Sequence, residues 1–403
     1  MSGAGGRVVI VGASAGGLAT AEALRRAGHH GVITLVGDED GPPYDRPPLS
    51  KQLLCREWEP DAVVLRSASD LAALGLEWRQ GIRAVGLDTA RRTVSLADGT
   101  GLEYDELVVA TGVRPRLLPG ADGLPGVHVL RTVADALALR DRLLPGRHLV
   151  IVGAGFVGAE VAATARTLGV TVTMLESGPV PLAQAVGTAA GEFLTALHRE
   201  RGVLLRAGAA VTRLRPTAEG GLRVGLADGT AVLADDVLVA VGSVPNTEWL
   251  AGSGLDISDG LVCDEYCAAA DAVHGVGDVA RWYNPQFGTA MRVEHRTHAA
   301  EQGIAVARNL VEPHARRPFA PVPYFWSDQY EVKVQAYGYL RGHDEARVLD
   351  ADLPHRRLLV AYRKDDRVVG VLAAGISPKT LRAWRAHVLG RASWADLMTS
   401  SVA

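Results

Sequence analysis

The chain has 403 residues, of which 48% are hydrophobic and 22% charged, and its formal net charge is −3. At roughly 150 residues per domain this makes two or three domains with sizeable cores, which excludes a disordered, collagen-like or highly charged chain. The near balance of charge argues against a dedicated binder of nucleic acid or anionic membrane. Its three cysteines, Cys55, Cys263 and Cys267, cannot build a secreted disulfide framework and fit a reducing compartment. The opening MSGAGGRVVIVG lacks the basic flank and long apolar stretch of a signal peptide, and no apolar run approaches the ~18 residues of a membrane span. A soluble, cytoplasmic protein with no membrane and no nucleic-acid partner is expected. The lysines are few, namely Lys51, Lys333, Lys364 and Lys379, against 42 basic residues in all.

The first predicted elements lie in residues 8–28, VVIVGASAGGLATAEALRRAG. A β-branched run suits a buried parallel strand, a glycine turn follows, and an Ala/Leu-rich stretch suits a helix. A further strand, GVITLVGD, comes next. Residues 149–169, LVIVGAGFVGAEVAATARTLG, repeat the pattern and lead into VTVTMLES. The offsets match, with Gly12, Gly17 and Gly28 corresponding to Gly153, Gly158 and Gly169.

A single glycine-rich turn also arises for purely structural reasons, but two copies in full context point to two dinucleotide sites. The first glycine permits a tight turn, the middle one lets backbone amides approach a pyrophosphate, and the last lets helix pack on strand. The positive end of the helix then faces the phosphates. The candidate contacts are Gly12, Ala13, Ser14, Ala15, Gly16 and Gly17 in one copy, and Gly153, Gly155, Phe156, Val157 and Gly158 in the other. An acidic residue after the second strand can accept from ribose hydroxyls, a place held by Asp38 with Glu39 beside it, and by Glu176. Glu176 would repel a 2′-phosphate and no arginine follows it directly, which favours NADH over NADPH; the bland reading is a solvated strand end. The copies differ in that Ser14 stands where the second has Gly155, and only the second places a glutamate, Glu160, two residues after its last glycine.

Between and after the copies, ELVVATGVRPR (106–116) and VLVAVGSVPN (237–246) read as strands entering glycine turns, with Thr111, Gly112 and Gly242 near a ligand or simply at strand ends. In VHGVGDVARW (273–282), Asp278 either contacts a cofactor chain or caps a following helix. From about residue 324 the texture becomes PYFWSDQYEVKVQAYGY and then alternating apolar stretches, which suit an antiparallel sheet, and PKTLRAWRAHVLGR suits a helical tail. Tyr324, Phe325, Trp326 and Tyr330 cluster at its opening in a chain only 5% aromatic; packing a domain seam is the structural alternative.

Taken in order, GASAGG, PPYDRPPLSK at 42–51, ATG at 110–112, GAGFVGAE at 153–160, VGDVARW at 276–282 and FWSDQY at 325–330 resemble the NADH-dependent ferredoxin reductases that serve oxygenases and cytochromes P450. RPPLSK and FWSDQY discriminate this family from the wider flavoprotein superfamily. The resemblance spans essentially the whole chain. It implies an α/β fold with two Rossmann-like FAD and NAD domains of the glutathione-reductase type plus a C-terminal α+β domain. The implied boundaries are 1–115 with 247–322 for FAD, 116–246 for NADH and 323–403 for the last domain.

By position, the resemblance implies that Gly12, Ser14, Gly16 and Gly17 hold the FAD pyrophosphate and Asp38 its adenosine ribose, with Arg46, Lys51, Ala84, Arg131 and Asp278 completing the flavin site. Lys51 would stand near flavin N5, where an ammonium can stabilise negative charge, and Glu160 near it would help place the nicotinamide. The implied reaction passes a hydride from NADH to N5 and then single electrons to a [2Fe–2S] ferredoxin feeding a P450 or dioxygenase. Trp326 would lie where the flavin edge meets the ferredoxin. One departure concerns VEHRTHA at 293–299, where Arg296 and His298 replace an aromatic and an amide common in relatives; Arg296 either raises the flavin potential or points away. An acidic ferredoxin calls for an arginine patch, with Arg316, Arg317, Arg341 and Arg363 as candidates. A monomer is expected.

Other chemistries fit less well. Disulfide reductases need a cysteine pair soon after the first nucleotide fold, where only Cys55 occurs, and Cys263 with Cys267 lacks a partner set for zinc. A reductase for rubredoxin or a small quinone, or an apoptosis-inducing-factor-like protein that uses FAD and NADH binding as a signal, remain as alternatives.

Overall fold

The structure, a computed structural model, describes residues 5–400. The chain forms two compact units, the first made of residues up to Asp45 with Asp61–Arg114 and Val244–Pro323, the second of Arg46–Pro60, Pro115–Ser243 and the chain from Tyr324 onward.

The first unit is built on a six-stranded sheet. Its strands run in the order Ala268–Ala270, Val273–Gly275, Glu106–Val109, Val8–Val11, Ile33–Val36 and Glu77–Arg79. All neighbours are parallel except the Ala268–Ala270 hairpin edge. Val8, Val9, Ile10 and Val11 are buried on both faces, which is why this strand reads as an unbroken apolar run and not as an alternating one. Helix Ala15–Arg26 follows it and packs against helix Arg296–Val311. The approach is close, since a side chain at Gly303 would meet Gly16 O and Thr20 Oγ1 at 2.7 Å.

The second unit repeats that plan. Its five-stranded parallel sheet runs Leu204–Arg206, Thr171–Leu175, His148–Val152, Asp236–Val239 and Val127–His128, and helix Phe156–Thr167 follows the central strand. The antiparallel sheet foreseen near the C-terminus is present, with strand order Tyr324–Gln329, Val332–Gly338, Arg367–Ala374, Arg357–Lys364 and Glu345–Asp352, followed by helix Pro378–Leu389.

The observed units cut the chain differently from the expected boundaries at two places. Residues 46–60, expected within the FAD domain, pack in the second unit. Leu54 is fully buried among Leu139, Leu143, Leu149 and Ile151 of the second nucleotide fold, and Arg56 donates to the Arg140 carbonyl at 2.8 Å. The C-terminal sheet, expected as a separate domain, shares a core with that fold: Val334, Val360, Tyr362 and Leu372 pack with Val186, Ala190, Leu194 and Leu197. An apolar sheet face must be covered, and here the helix Thr188–Glu200 covers it.

Candidate functional site

Each nucleotide fold presents a glycine turn built by close backbone approach. In the first unit Gly12 has φ +117°, and a Cβ there would stand 2.1 Å from Ala110 O. Gly17 is equally constrained, because its Cβ would stand 1.9 Å from Gly12 O. Ser14 opens helix Ala15–Arg26 without a side-chain capping bond, so neither its hydroxyl nor the first-turn amides, which have no partner within a helix, serve the helix itself. Ala13, Ala15 and Gly16 complete this turn. That donor set suits a pyrophosphate. Asp38 is exposed with Arg83 Nη2 at 3.5 Å, and Glu39 accepts from the Tyr44 hydroxyl.

The remaining candidates of the first unit lie around the return strands. Gly112, at φ +64°, follows Thr111, whose hydroxyl donates to Asn246 O at 2.8 Å while Asn246 Nδ2 returns a bond to Thr111 O at 2.9 Å. Thr111 therefore ties two passing segments together. Ala84 is buried at the start of strand Ala84–Asp88. Asp278 lies inside the single turn Gly277–Val279, and the chain continues as strand Ala280–Asn284, so there is no following helix for it to cap. Arg296 is the first residue of helix Arg296–Val311 and its Nε donates to Asp45, which offsets the charge of the guanidinium. His298 is buried between Trp282 and Phe319, with ring centroids 4.5 and 5.3 Å away, and burial followed by the nearby His295 pushes it down to about 3.

In the second unit Gly153 has φ +98° with Ala240 O 2.4 Å from a built Cβ, and Gly158 would bring a Cβ within 2.3 Å of Gly153 O. Gly155 differs. A Cβ there would meet nothing within 4 Å, so the space over the start of helix Phe156–Thr167 is open and bare backbone faces it. Glu176 is held rather than solvated: its carboxylate accepts from Ala154 N at 3.0 Å and Gly178 N at 2.8 Å. Arg206, on the neighbouring strand, gives its guanidinium to Thr230 at 3.3 Å and Asp228 at 3.5 Å. Gly242 has φ +93°, and Val157 is exposed. The open glycine, the helix terminus and the oriented carboxylate fit a dinucleotide with a free ribose 2′-hydroxyl.

Five further candidates, Arg46, Arg131, Lys51, Glu160 and Trp326, lie in the same unit. Arg46 Nη1 donates to the Arg131 carbonyl, and Arg131 precedes the capping box formed by Thr132 and Asp135. Lys51 Nζ lies 2.7 Å from Glu160 Oε2, with side chains only 12% and 8% exposed. Ser50 Oγ donates to the same carboxylate oxygen, and Ser327 Oγ donates to Oε1 at 2.8 Å. One carboxylate thus pins the 46–60 segment, the nucleotide helix and the C-terminal sheet together. Phe325 packs on Phe156 with centroids 4.9 Å apart, and Trp326, half-buried, stacks 6.0 Å from Tyr324.

Comparison with known families places the chain. The pyridine nucleotide-disulphide oxidoreductase family matches residues 6–303, and the reductase C-terminal family matches residues 324–395. The chain belongs to the pyridine nucleotide-disulphide oxidoreductase family. Among relatives within it, rhodocoxin reductase of Rhodococcus erythropolis is 38% identical over 84% of this chain and 79% of its own. The ferredoxin–NAD(+) reductase component of the anthranilate 1,2-dioxygenase system of Burkholderia cepacia is 37% identical over 91% of this chain and 90% of its own. A chain of the covalent putidaredoxin reductase–putidaredoxin complex superposes with a TM-score of 0.90 at 33% identity, covering 96% of this chain and 93% of that one.

Within this oxidoreductase family, three features bear on chemistry. Cys55, Cys263 and Cys267 are all free, and burial raises Cys263 well above the usual thiol range and Cys267 to about 12. Among the described residues no cluster of metal-binding side chains occurs and no helix is long and apolar enough to cross a membrane. The arginines foreseen as a docking patch are not equivalent, since Arg316 stacks 4.4 Å over Tyr266 and Arg363 Nε bonds Glu345 at 3.1 Å. Sequence reasoning missed Ser50, Ser327, Gln329 and His198. The signal was present in FWSDQY, where Phe325, Ser327 and Gln329 alternate onto one face of the strand.

Proposed function

We propose that the chain is an FAD-dependent NADH:ferredoxin reductase acting in the cytoplasm, which takes two electrons from NADH and passes them singly to a [2Fe–2S] ferredoxin serving a P450 or dioxygenase. The observation that supports this most strongly is the match over 96% of the chain to a reductase solved in covalent complex with putidaredoxin. FAD, when bound, supplies the coupling between a two-electron donor and one-electron acceptors.

The residues divide the work as follows in this reading. Gly12, Ala13, Ser14, Ala15, Gly16 and Gly17 hold the FAD pyrophosphate on backbone amides and the positive helix end, with Asp38 or Glu39 at the ribose and Ala84, Thr111, Gly112, Asp278 and Arg296 around the rest. Gly153, Gly155, Phe156, Val157 and Gly158 hold NADH, Glu176 its adenosine ribose, and Gly242 borders it. Arg46 and Arg131 contribute cations. Lys51, held by Glu160, places a fixed ammonium where negative charge grows, and Trp326 offers a half-buried aromatic face for the partner. Thiol chemistry has no part, because the cysteines are buried or single.

The test uses the purified FAD-loaded protein without oxygen. NADH should bleach the flavin faster than NADPH, and oxidised [2Fe–2S] ferredoxin should restore the colour within seconds. Bleaching without return to ferredoxin, but with return to rubredoxin or a quinone, would overturn the acceptor assignment. Slow bleaching with a long-lived NAD complex would point instead to a binding or signalling protein.

A further inference from the structure

Behind Glu160 runs a buried hydrogen-bonded chain that lies outside the glycine turn. Ser327 Oγ donates to Glu160 Oε1 at 2.8 Å and accepts from Gln329 Nε2 at 3.1 Å. Gln329 Oε1 lies 3.0 Å from His198 Nε2, and His198 Nδ1 lies 3.1 Å from the Tyr330 hydroxyl. Ser327 and Gln329 are 0% exposed and His198 2%.

The direction of every bond follows from the carboxylate. Glu160, ion-paired to Lys51, can only accept, so the single Ser327 hydrogen goes to it. Gln329 must then offer its amide NH2 to Ser327, which turns its carbonyl oxygen toward His198 and requires Nε2–H there. Burial, outweighing the bond His198 donates to Gln329, holds His198 down to about 4, so the ring is neutral near pH 7, its Nδ1 is a lone pair, and Tyr330 donates to it. All donors point toward Glu160. Such a chain is costly to keep in a core unless every member is satisfied, and valine or leucine would serve packing as well. Tyr330 adds to that cost. It opens the two-residue turn between strands Tyr324–Gln329 and Val332–Gly338 with φ +56°, a position hairpins usually give to Asn or Gly.

We propose that Ser327, Gln329 and His198 are positioning residues for the Lys51–Glu160 pair. By occupying Oε1 they turn Oε2 to Lys51 and Ser50, and so fix where the ammonium stands. The inference rests on the reading of that pair as part of the nicotinamide site. It is a positioning device and not a proton path, because a neutral amide such as Gln329 fixes bond direction but passes no proton without changing tautomer.

The scarcity of lysine makes the test direct. In FAD-loaded protein carrying 15N-lysine, four Nζ signals are expected, and Lys51→Arg identifies its own. Gln329→Leu and His198→Phe should shift the Lys51 signal while leaving Lys364 and Lys379 in place, and His198→Gln, which keeps an N–H donor, should restore it. Ser327→Ala, losing one hydroxyl, keeps the test open where a larger change impairs folding. Flavin reduction at saturating NADH should slow about tenfold in Ser327→Ala and Gln329→Leu, with KM for NADH little changed, as expected when a group is misplaced and not removed. An unmoved Lys51 signal in folded Ser327→Ala and Gln329→Leu would overturn the proposal. Lys51→Arg reducing flavin at the unaltered rate would instead overturn the reading of the pair, whatever the signals show.

Discussion

The two nucleotide folds place the same device in different hands. Val11 pairs Val36 in one and Val152 pairs Leu175 in the other, so their turns are in register residue for residue, and the differences are local. At the third position of the turn stands Ser14 or Gly155. Immediately after the second strand stands Gly37 or Glu176; a side chain at Gly37 would meet Ala13 Cβ at 2.8 Å, so the first copy sets its acid one residue later, at the exposed Asp38. At the fifth residue of the helix stands Ala19 or Glu160. The framework common to both copies is backbone packing at their glycines, while the copies differ at three positions around it, and the proposed difference in ligand rests on those three.

The largest effect expected on that framework is from Gly17→Ala or Gly158→Ala, which would press a methyl to 1.9 or 2.3 Å from a carbonyl oxygen. Each should cost about 3 kcal/mol of stability by overpacking, read as a fall in urea midpoint, and an equal midpoint would break the claim that the copies share one packing rule. Glu160→Gln has no counterpart in the first copy. It leaves the mostly buried Lys51 ammonium without its carboxylate and should cost about 2 kcal/mol, less than a fully buried pair because Lys51 keeps some solvent.

Acid should strike both units alike. His298 beside the first copy is held down to about 3 and His198 beside the second to about 4, both by burial. Their folded values lie below the unfolded one, so the unfolded chain binds protons first as pH falls. Stability is complete above about pH 6.5 and declines below it at about 1.4 kcal/mol per pH unit for each ring, down to those values. Replacing His298 by Gln should flatten the slope of the urea midpoint between pH 6.5 and 5, and an unchanged slope would show that the ring charges freely. The smallest effect sharpens ligand choice: Glu176→Gln should narrow the preference for NADH over NADPH about tenfold, roughly 1.4 kcal/mol, measured as a ratio of flavin-bleaching rates.

Much of this was legible in the sequence because local chemistry dictated it. The duplicated strand, glycine turn and helix announced themselves through residues whose conformations leave little choice, as at Gly12 and Gly153, and the alternation after residue 324 marked an antiparallel sheet. What stayed hidden depended on long-range contact. Nothing local says that Leu54 leaves its neighbours in sequence to join the second core, or that the C-terminal sheet lies on helix Thr188–Glu200. The Glu160 cluster joins Ser50, Lys51 and Ser327 across more than a hundred residues; the family resemblance implied Lys51 beside Glu160, but Ser50 and Ser327 looked like ordinary polar residues. Arg296 showed the reverse, since its pairing with Asp45 could not be guessed from VEHRTHA.

The central claim, that the copies bind different dinucleotides, is tested most directly by Gly155→Val. Its side chain enters space that no protein atom occupies within 4 Å of the Cβ, so folding and flavin content should be unaltered. Anaerobic stopped-flow bleaching of this protein at low NADH should then be at least about tenfold slower than in the unaltered protein, because the pyrophosphate can no longer approach the turn. Loss of FAD with NADH binding intact would contradict the assignment of the two folds.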